Sequence, residues 1–90
     1  MAIELLSTDR KHVITKDGKR IGEMKGCGIN TEKWTVNDLL IAVLKPVAKD
    51  LKVKGGLFRE PQIKVRTDMV GVVGDVIQLN VDYNTLKSHL

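Results

Sequence analysis

Cysteine occurs once in this 90-residue chain, at Cys27, so no intrachain disulfide can staple the fold. A lone cysteine points to a reducing compartment and away from the secreted, cross-linked modules. Aromatic side chains number three, Trp34, Phe58 and Tyr83, and prolines two, Pro46 and Pro61. With so few rings, valine, isoleucine and leucine must fill the core, and those residues favour strands. No apolar run approaches the roughly 18 residues of a membrane helix. The opening MAIELLSTDRK holds too short an apolar stretch for a signal peptide. These absences lead to the expectation of a cytoplasmic protein without direct membrane insertion. The length fits one domain, residues 1–90, and a chain so short hides only about 60–65% of its unfolded surface. Its margin of stability is therefore thin.

Charge is present in both signs. Fifteen Lys and Arg face eleven Asp and Glu, for a formal net charge of +4. A basic excess permits a polyanionic partner, but nucleic-acid binders gather their cations on one face. Here they are strung from Arg10 to Arg66 with carboxylates between them, the pattern of a solvated surface.

The stretch VITKDGKRIGEMKGCG, residues 13–28, concentrates four glycines and four basic side chains. A phosphate-cradling P-loop needs G-x-x-x-x-G-K-[ST] between a buried strand and a long helix. Gly18-Lys19 is followed by Arg20, and no helical periodicity comes after it. Gly26-Cys27-Gly28 lacks the third glycine of a dinucleotide fingerprint. The stretch reads better as a hairpin. HVIT (12–15) is a short strand, Asp17-Gly18 is a tight turn demanding positive φ, and the return strand starts at Lys19 with Ile21 inward. Gly22, Gly26 and Gly28 then share one parity, as at bends or close backbone approaches in a barrel corner.

Asn30 to Lys33 predicts a second turn and WTVNDLLIAVL (34–44) another strand. Its apolar residues change parity, from Trp34 and Val36 to Leu39, Ile41 and Val43, which predicts a bulge near Asn37-Asp38. Pro46 opens a short helix to Leu51 with Val47 and Leu51 on one side. LFREP (57–61) is expected to cross irregularly, and IKVR (63–66) to be a strand. TDMVGVVGD (67–75) suggests a helical turn capped by Thr67 or Asp68 and ended by Gly71 and Gly74. VIQLNV (76–81) reads as a strand, and Asp82 as the cap of a short C-terminal helix. The segment before Asp9 could pair or hang free. The expected fold is all-β with minor α: a small, partly closed barrel with one short inserted helix and a short C-terminal helix, which strand counting alone does not separate from an SH3-like barrel or a small sandwich.

No catalytic or metal-binding constellation emerges. Cys27 and His12 lack a third, orienting group. Two histidines 77 positions apart and one cysteine do not make a metal cluster. Asp68 and Asp75 are accounted for as turn and cap residues. The expectation is a non-enzyme with no cofactor. Two binding surfaces remain. A protein could dock on Leu57, Phe58 and Arg59 in the glycine-flanked crossing. A nucleic acid would use Lys16, Lys19, Arg20, Lys25, Lys64 and Arg66, provided the hairpin and the 63–66 strand lie side by side. Exposed aromatics for base stacking are scarce, which favours the protein.

The order of VITKDGKRIGEMKG (13–26), INTEKWTV (29–36), PVAKDLKVK (46–54), REPQIKVRTDMV (59–70) and VGDVIQL (73–79) resembles the archaeal stand-alone PRC-barrel proteins. These are short relatives of a domain shared by the photosynthetic reaction-centre H subunit and the ribosome maturation factor RimM. The likeness covers about residues 12 to 81. It implies a six-stranded PRC-type β-barrel with a short inserted helix and no general catalytic residues. Some of these archaeal proteins act in cell division, form homo- or heterodimers, and bind SepF, the membrane-tethering adaptor of the FtsZ ring. The resemblance therefore implies a non-enzymatic interaction module, a division scaffold binding a SepF-like adaptor and recruited to the division site. The alternative is a ribosome-maturation or RNA-associated factor resembling the RimM barrel, although the second RimM domain has no counterpart in this chain.

Overall fold

A computed structural model describes residues 2–6, 9–53 and 60–90. Strand β1 (Ala2–Leu6) is followed by β2 (His12–Ile14), β3 (Arg20–Asn30), β4 (Thr35–Val43), helix α1 (Lys45–Leu51) and β5 (Gln62–Arg66). A 3₁₀ turn at Thr67–Met69 leads into β6 (Val70–Val73), then β7 (Ile77–Leu79) and helix α2 (Tyr83–Ser88).

The turn at Asp17-Gly18 forms as its residues dictate. Gly18 has φ +87°, and the Thr15 N–H donates to the Lys19 carbonyl at 2.9 Å. The return strand carries Ile21, which is fully buried. Strand β3 is long enough to serve two partners on one side. Its first half pairs with β2 and its second half with β1, while β4 runs along its other side. The segment before Asp9 thus supplies a paired strand. In the β3–β4 ladder Gly28 faces Asp38 and Ile29 faces Val36, so Asn37 is the extra residue of a bulge, as the parity change predicts. A second irregularity, between Met24 and Gly26, sets Lys25 out of register. Asn30 Oδ1 accepts from the Glu32 and Lys33 N–H groups to make the next turn.

Three expectations are corrected. Trp34 belongs to that turn, with φ 55° and 74% of its surface exposed, and β4 starts one residue later. The helical turn stops at Met69, because the β-branched run Val70-Gly71-Val72-Val73 pairs with β7 instead. Neither Thr67 nor Asp68 caps it; the Thr67 hydroxyl lies 3.3 Å from the Val36 and Asn37 carbonyls, and Asp68 pairs with Arg66. Finally, the six-stranded barrel that the resemblance implies is, among the described residues, a seven-stranded sheet in the order β5-β4-β3-β2-β7-β6, with β1 on β3. No ladder joins β5 to β6, so the sheet is open. Those two ends are nonetheless consecutive in the chain. The 3₁₀ turn Thr67–Met69 joins them, and β6 pairs with β7 instead. Mainly-β architecture with two helices stands; closure does not.

Both helices seal the core. Val47, Ala48 and Leu51 of α1 and Tyr83 and Leu86 of α2 are buried with Val13, Ile21, Ile41, Ile63, Val65, Ile77 and Leu79. Pro46 sits in the first turn of α1, and Asp82 caps α2 by accepting from the Thr85 N–H at 2.8 Å. A polar clasp holds α2. Asp17 Oδ1 accepts from the buried Thr15 hydroxyl and from the Tyr83 N–H at 3.2 Å. The Tyr83 hydroxyl donates to Asp50 at 2.6 Å, Lys87 donates to the same carboxylate at 3.2 Å, and Lys19 Nζ lies 4.1 Å from the Tyr83 ring centroid.

The clasp predicts how stability depends on pH. The Thr15 hydroxyl holds Asp17 below the usual carboxylate range, and Tyr83 and Lys87 do the same for Asp50. Stability from such groups is present above the unfolded carboxylate pKa and is lost as pH falls through the folded one. Burial, helped by the Asp50 hydrogen bond, pushes Tyr83 up to about 12. Its contribution is present below the unfolded tyrosine pKa of about 10 and disappears as pH rises from there toward the folded value. Thermal melts should show a plateau between about pH 5 and 9 with losses on both sides. Tyr83→Phe should shrink the alkaline loss and, because the Tyr83 hydroxyl is the main group holding Asp50 low, should also remove most of the share of Asp50 in the acid loss while leaving that of Asp17; an unchanged alkaline limb would refute this role for Tyr83.

Candidate protein-binding face

The residues opposite one another in the ladders share a face of the sheet, which allows the surface to be assembled row by row. One row runs Leu5, Cys27, Leu39, Val65. Val65 belongs to the core and Leu39 packs against it, so this is the core-facing side. The next row on that side is Ile3, Ile29, Val36. Helices α1 and α2 cover the core elsewhere, but the ends of these two rows emerge into solvent: Leu5 is 49% and Val36 44% exposed, while Val65 stays buried.

Where the rows meet β6 the open sheet leaves a cleft of about 430 Å³. Met24, Leu39, Val70, Val73 and Ile77 make its apolar lining, with Lys11 and Thr67 as the polar members. Lys11 Nζ donates to the Gly74 carbonyl at 2.7 Å, tying the start of β2 to the β6–β7 turn. Val73 is both a wall of the cleft and 63% exposed, and its neighbour Val72 is similarly open. Contiguous apolar surface of this kind, outside a core already sealed by two helices, marks an interaction site more often than scattered single residues do. The arrangement can grip apolar side chains.

The sequence-predicted sites fare differently. Leu57, Phe58 and Arg59 lie outside the described residues. Hairpin and 63–66 strand are not side by side, since β4 separates β3 from β5. The six cations consequently fall into two groups. Lys25, Lys64 and Arg66 lie toward the outward side of the sheet, where Lys25 donates to Gln62 at 2.7 Å, Lys64 lies 3.9 Å from Glu4, and Arg66 pairs with Asp68. Lys16, Lys19 and Arg20 sit at the hairpin end, near the clasp carboxylates Asp17, Asp50 and Asp82. His12 stands opposite Glu23, four residues along β3 from Cys27, roughly 13 Å at the strand rise per residue. The two are not brought together. Cys27 instead lies between Leu5 and Leu39 in the apolar row. Among the described residues no group of His, Cys, Asp and Glu could hold a metal ion, and no helix is long and apolar enough to cross a membrane.

Compared with known proteins, the chain matches no family model and no curated protein.

Proposed function

We propose that this protein is a non-enzymatic protein-interaction module that receives its partner on the core-facing apolar rows and the cleft beside β6. The observation that carries this reading is the continuity of Leu5, Cys27, Leu39 and of Ile3, Ile29, Val36 with a cleft lined by Met24, Val70 and Val73. The sequence resemblance supplies the finer proposal. The fold is an opened relative of the PRC-type barrel, and the partner is a division-ring adaptor of the SepF kind, bound at the division site by a homo- or heterodimer. A ribosomal or RNA-binding role is supported less well, because the cations are split into two groups and interleaved with carboxylates.

Affinity measured against salt tests the proposal. Purified SepF-like adaptor and purified ribosomal RNA are each titrated with the protein at about 50 and 200 mM salt. Phosphate binding releases counterions and loses orders of magnitude over that range, whereas an apolar interface changes little. Salt-insensitive binding of the adaptor is expected. Steep, salt-dependent binding of RNA with no binding of the adaptor would overturn the reading, as would recovery from the native host of ribosomal proteins that nuclease removes.

A further inference from the structure

Three strands have an edge that no other strand pairs with among the described residues: β1, β5 and β6. Unpaired edges expose rows of N–H and C=O groups and are templates for another strand unless they are protected by charge, bulges or shortness. Strand β5 is protected, since Lys64 and Arg66 project from its outward side. In β6 the ladder is broken between Val70 and Val72, leaving a short irregular edge. Strand β1, AIELL, is the least protected of the three. It contains no proline or cation, its ladder with β3 is regular over all five residues, and its single charge is Glu4. Ile3 and Leu5 point to the core-facing side and are partly open, while Leu6, on the other side, is 73% exposed.

We infer that β1 is a self-association edge, on which two copies of this chain pair antiparallel through Ala2–Leu6 about a two-fold axis at Glu4. This deepens the interaction-module reading by naming the surface through which the module meets its own copy, and it uses a different surface from the cleft. The pattern of the strand suits this occupant. An axis perpendicular to the sheet keeps each face on its own side, so even-numbered residues must face even-numbered ones. Centring it on Glu4 pairs all five residues and sets Ile3 opposite Leu5 of the second copy. The apolar rows of the two sheets then run on into each other. Glu4 faces its own copy, which by itself is unfavourable, but each Glu4 lies 3.9 Å from a Lys64, so two cations offset two carboxylates. A five-residue edge covers less than the roughly 800 Å² per partner of a standard interface. Association in the micromolar range or weaker is therefore expected.

Sedimentation equilibrium on the intact chain, over about 5 to 500 µM, should show the mass rising from 10.0 kDa toward twice that value. Glu4→Lys places four cations at the axis and should weaken association about tenfold or more, with circular dichroism unchanged because Glu4 is half exposed. Glu4→Cys in a Cys27→Ala background should cross-link under mild oxidation, since facing residues of an antiparallel pair come within disulfide reach. Trp34→Cys in the same background should not. A chain that stays monomeric throughout overturns the inference, and so does a dimer indifferent to Glu4→Lys that fails to cross-link at position 4. If Glu4→Lys fails to fold, the cross-link decides alone. A monomer that still binds adaptor without salt dependence would leave the cleft reading intact.

Discussion

Gly22→Ala is expected to leave the protein largely unfolded. Gly22 lies opposite Val43 in the β3–β4 ladder, and a Cβ on it would stand 2.9 Å from the Ala42 carbonyl carbon, 3.0 Å from Val43 Cα and closer still to the Ala42 oxygen. All three are backbone atoms, so no side-chain rotation relieves the contact; the two strands must separate. That breaks the ladder beside Ile21, Ile41 and Val43, the centre of the core. A cost of about 4 kcal/mol or more follows, at the exceptional end for single substitutions, against a total stability of roughly 5–15 kcal/mol that a chain this small holds at the low end. Two other glycines make the controls. At Gly18 a Cβ meets nothing within 4 Å, but φ is +87°, so alanine there should cost about 1–2 kcal/mol. At Gly74 there is neither contact nor positive φ, and alanine should stay within about 0.5 kcal/mol of the parent. Urea titrations that rank Gly22→Ala with Gly74→Ala would remove the close approach of β3 and β4 from the account of this fold.

That ranking also shows why part of the fold was legible in the sequence. Asp17-Gly18 announces a turn because few other residues tolerate its backbone, and the parity change from Val36 to Leu39 announces a bulge because strand periodicity leaves no other outlet. Those signals are local. Closure is not local: whether β5 pairs with β6 depends on where the 3₁₀ turn aims the chain, and nothing in Thr67-Asp68-Met69 specifies that direction. Two glycines made residues 67–75 look like a helical turn, where the three valines between Met69 and Gly74 were the better guide. The alternation of Ile3, Glu4 and Leu5 already suits a strand, but its partner, the far half of β3, follows only from the length of β3. The cleft was less legible still. Its lining is drawn from β3, β4, β6, β7, the 3₁₀ turn and the residue before β2, from Lys11 to Ile77. Each of those apolar residues fits a core equally well. Only the failure of the sheet to close leaves Val73 open to solvent while Leu39 beneath it stays partly buried.

That exposure makes the second large effect measurable without loss of the fold. Val73→Asp and Val36→Asp should each reduce adaptor binding by about 30-fold, the 2 kcal/mol or more of a residue central to an apolar interface. Val73 forms a wall of the cleft and Val36 ends the row beside Ile29. A carboxylate at either place would be buried without a partner once an apolar side chain docks, and such a group costs far more in the complex than in the free protein. Because Val73 and Val36 are well exposed, urea midpoints should change little. The reciprocal change, Lys19→Glu with Arg20→Glu, reverses two charges at the hairpin end, remote from both rows. It removes the contact of Lys19 with the Tyr83 ring, so a small loss of stability is expected, with adaptor affinity unchanged. If the charge reversal abolished binding while the two aspartates left it intact, the partner would be recognised at the basic hairpin and the apolar rows would need another explanation. The opposite pattern requires the partner to bring apolar side chains to the cleft, because among the described residues Lys11 is the one cation that lines it, and Lys11 already donates to the Gly74 carbonyl.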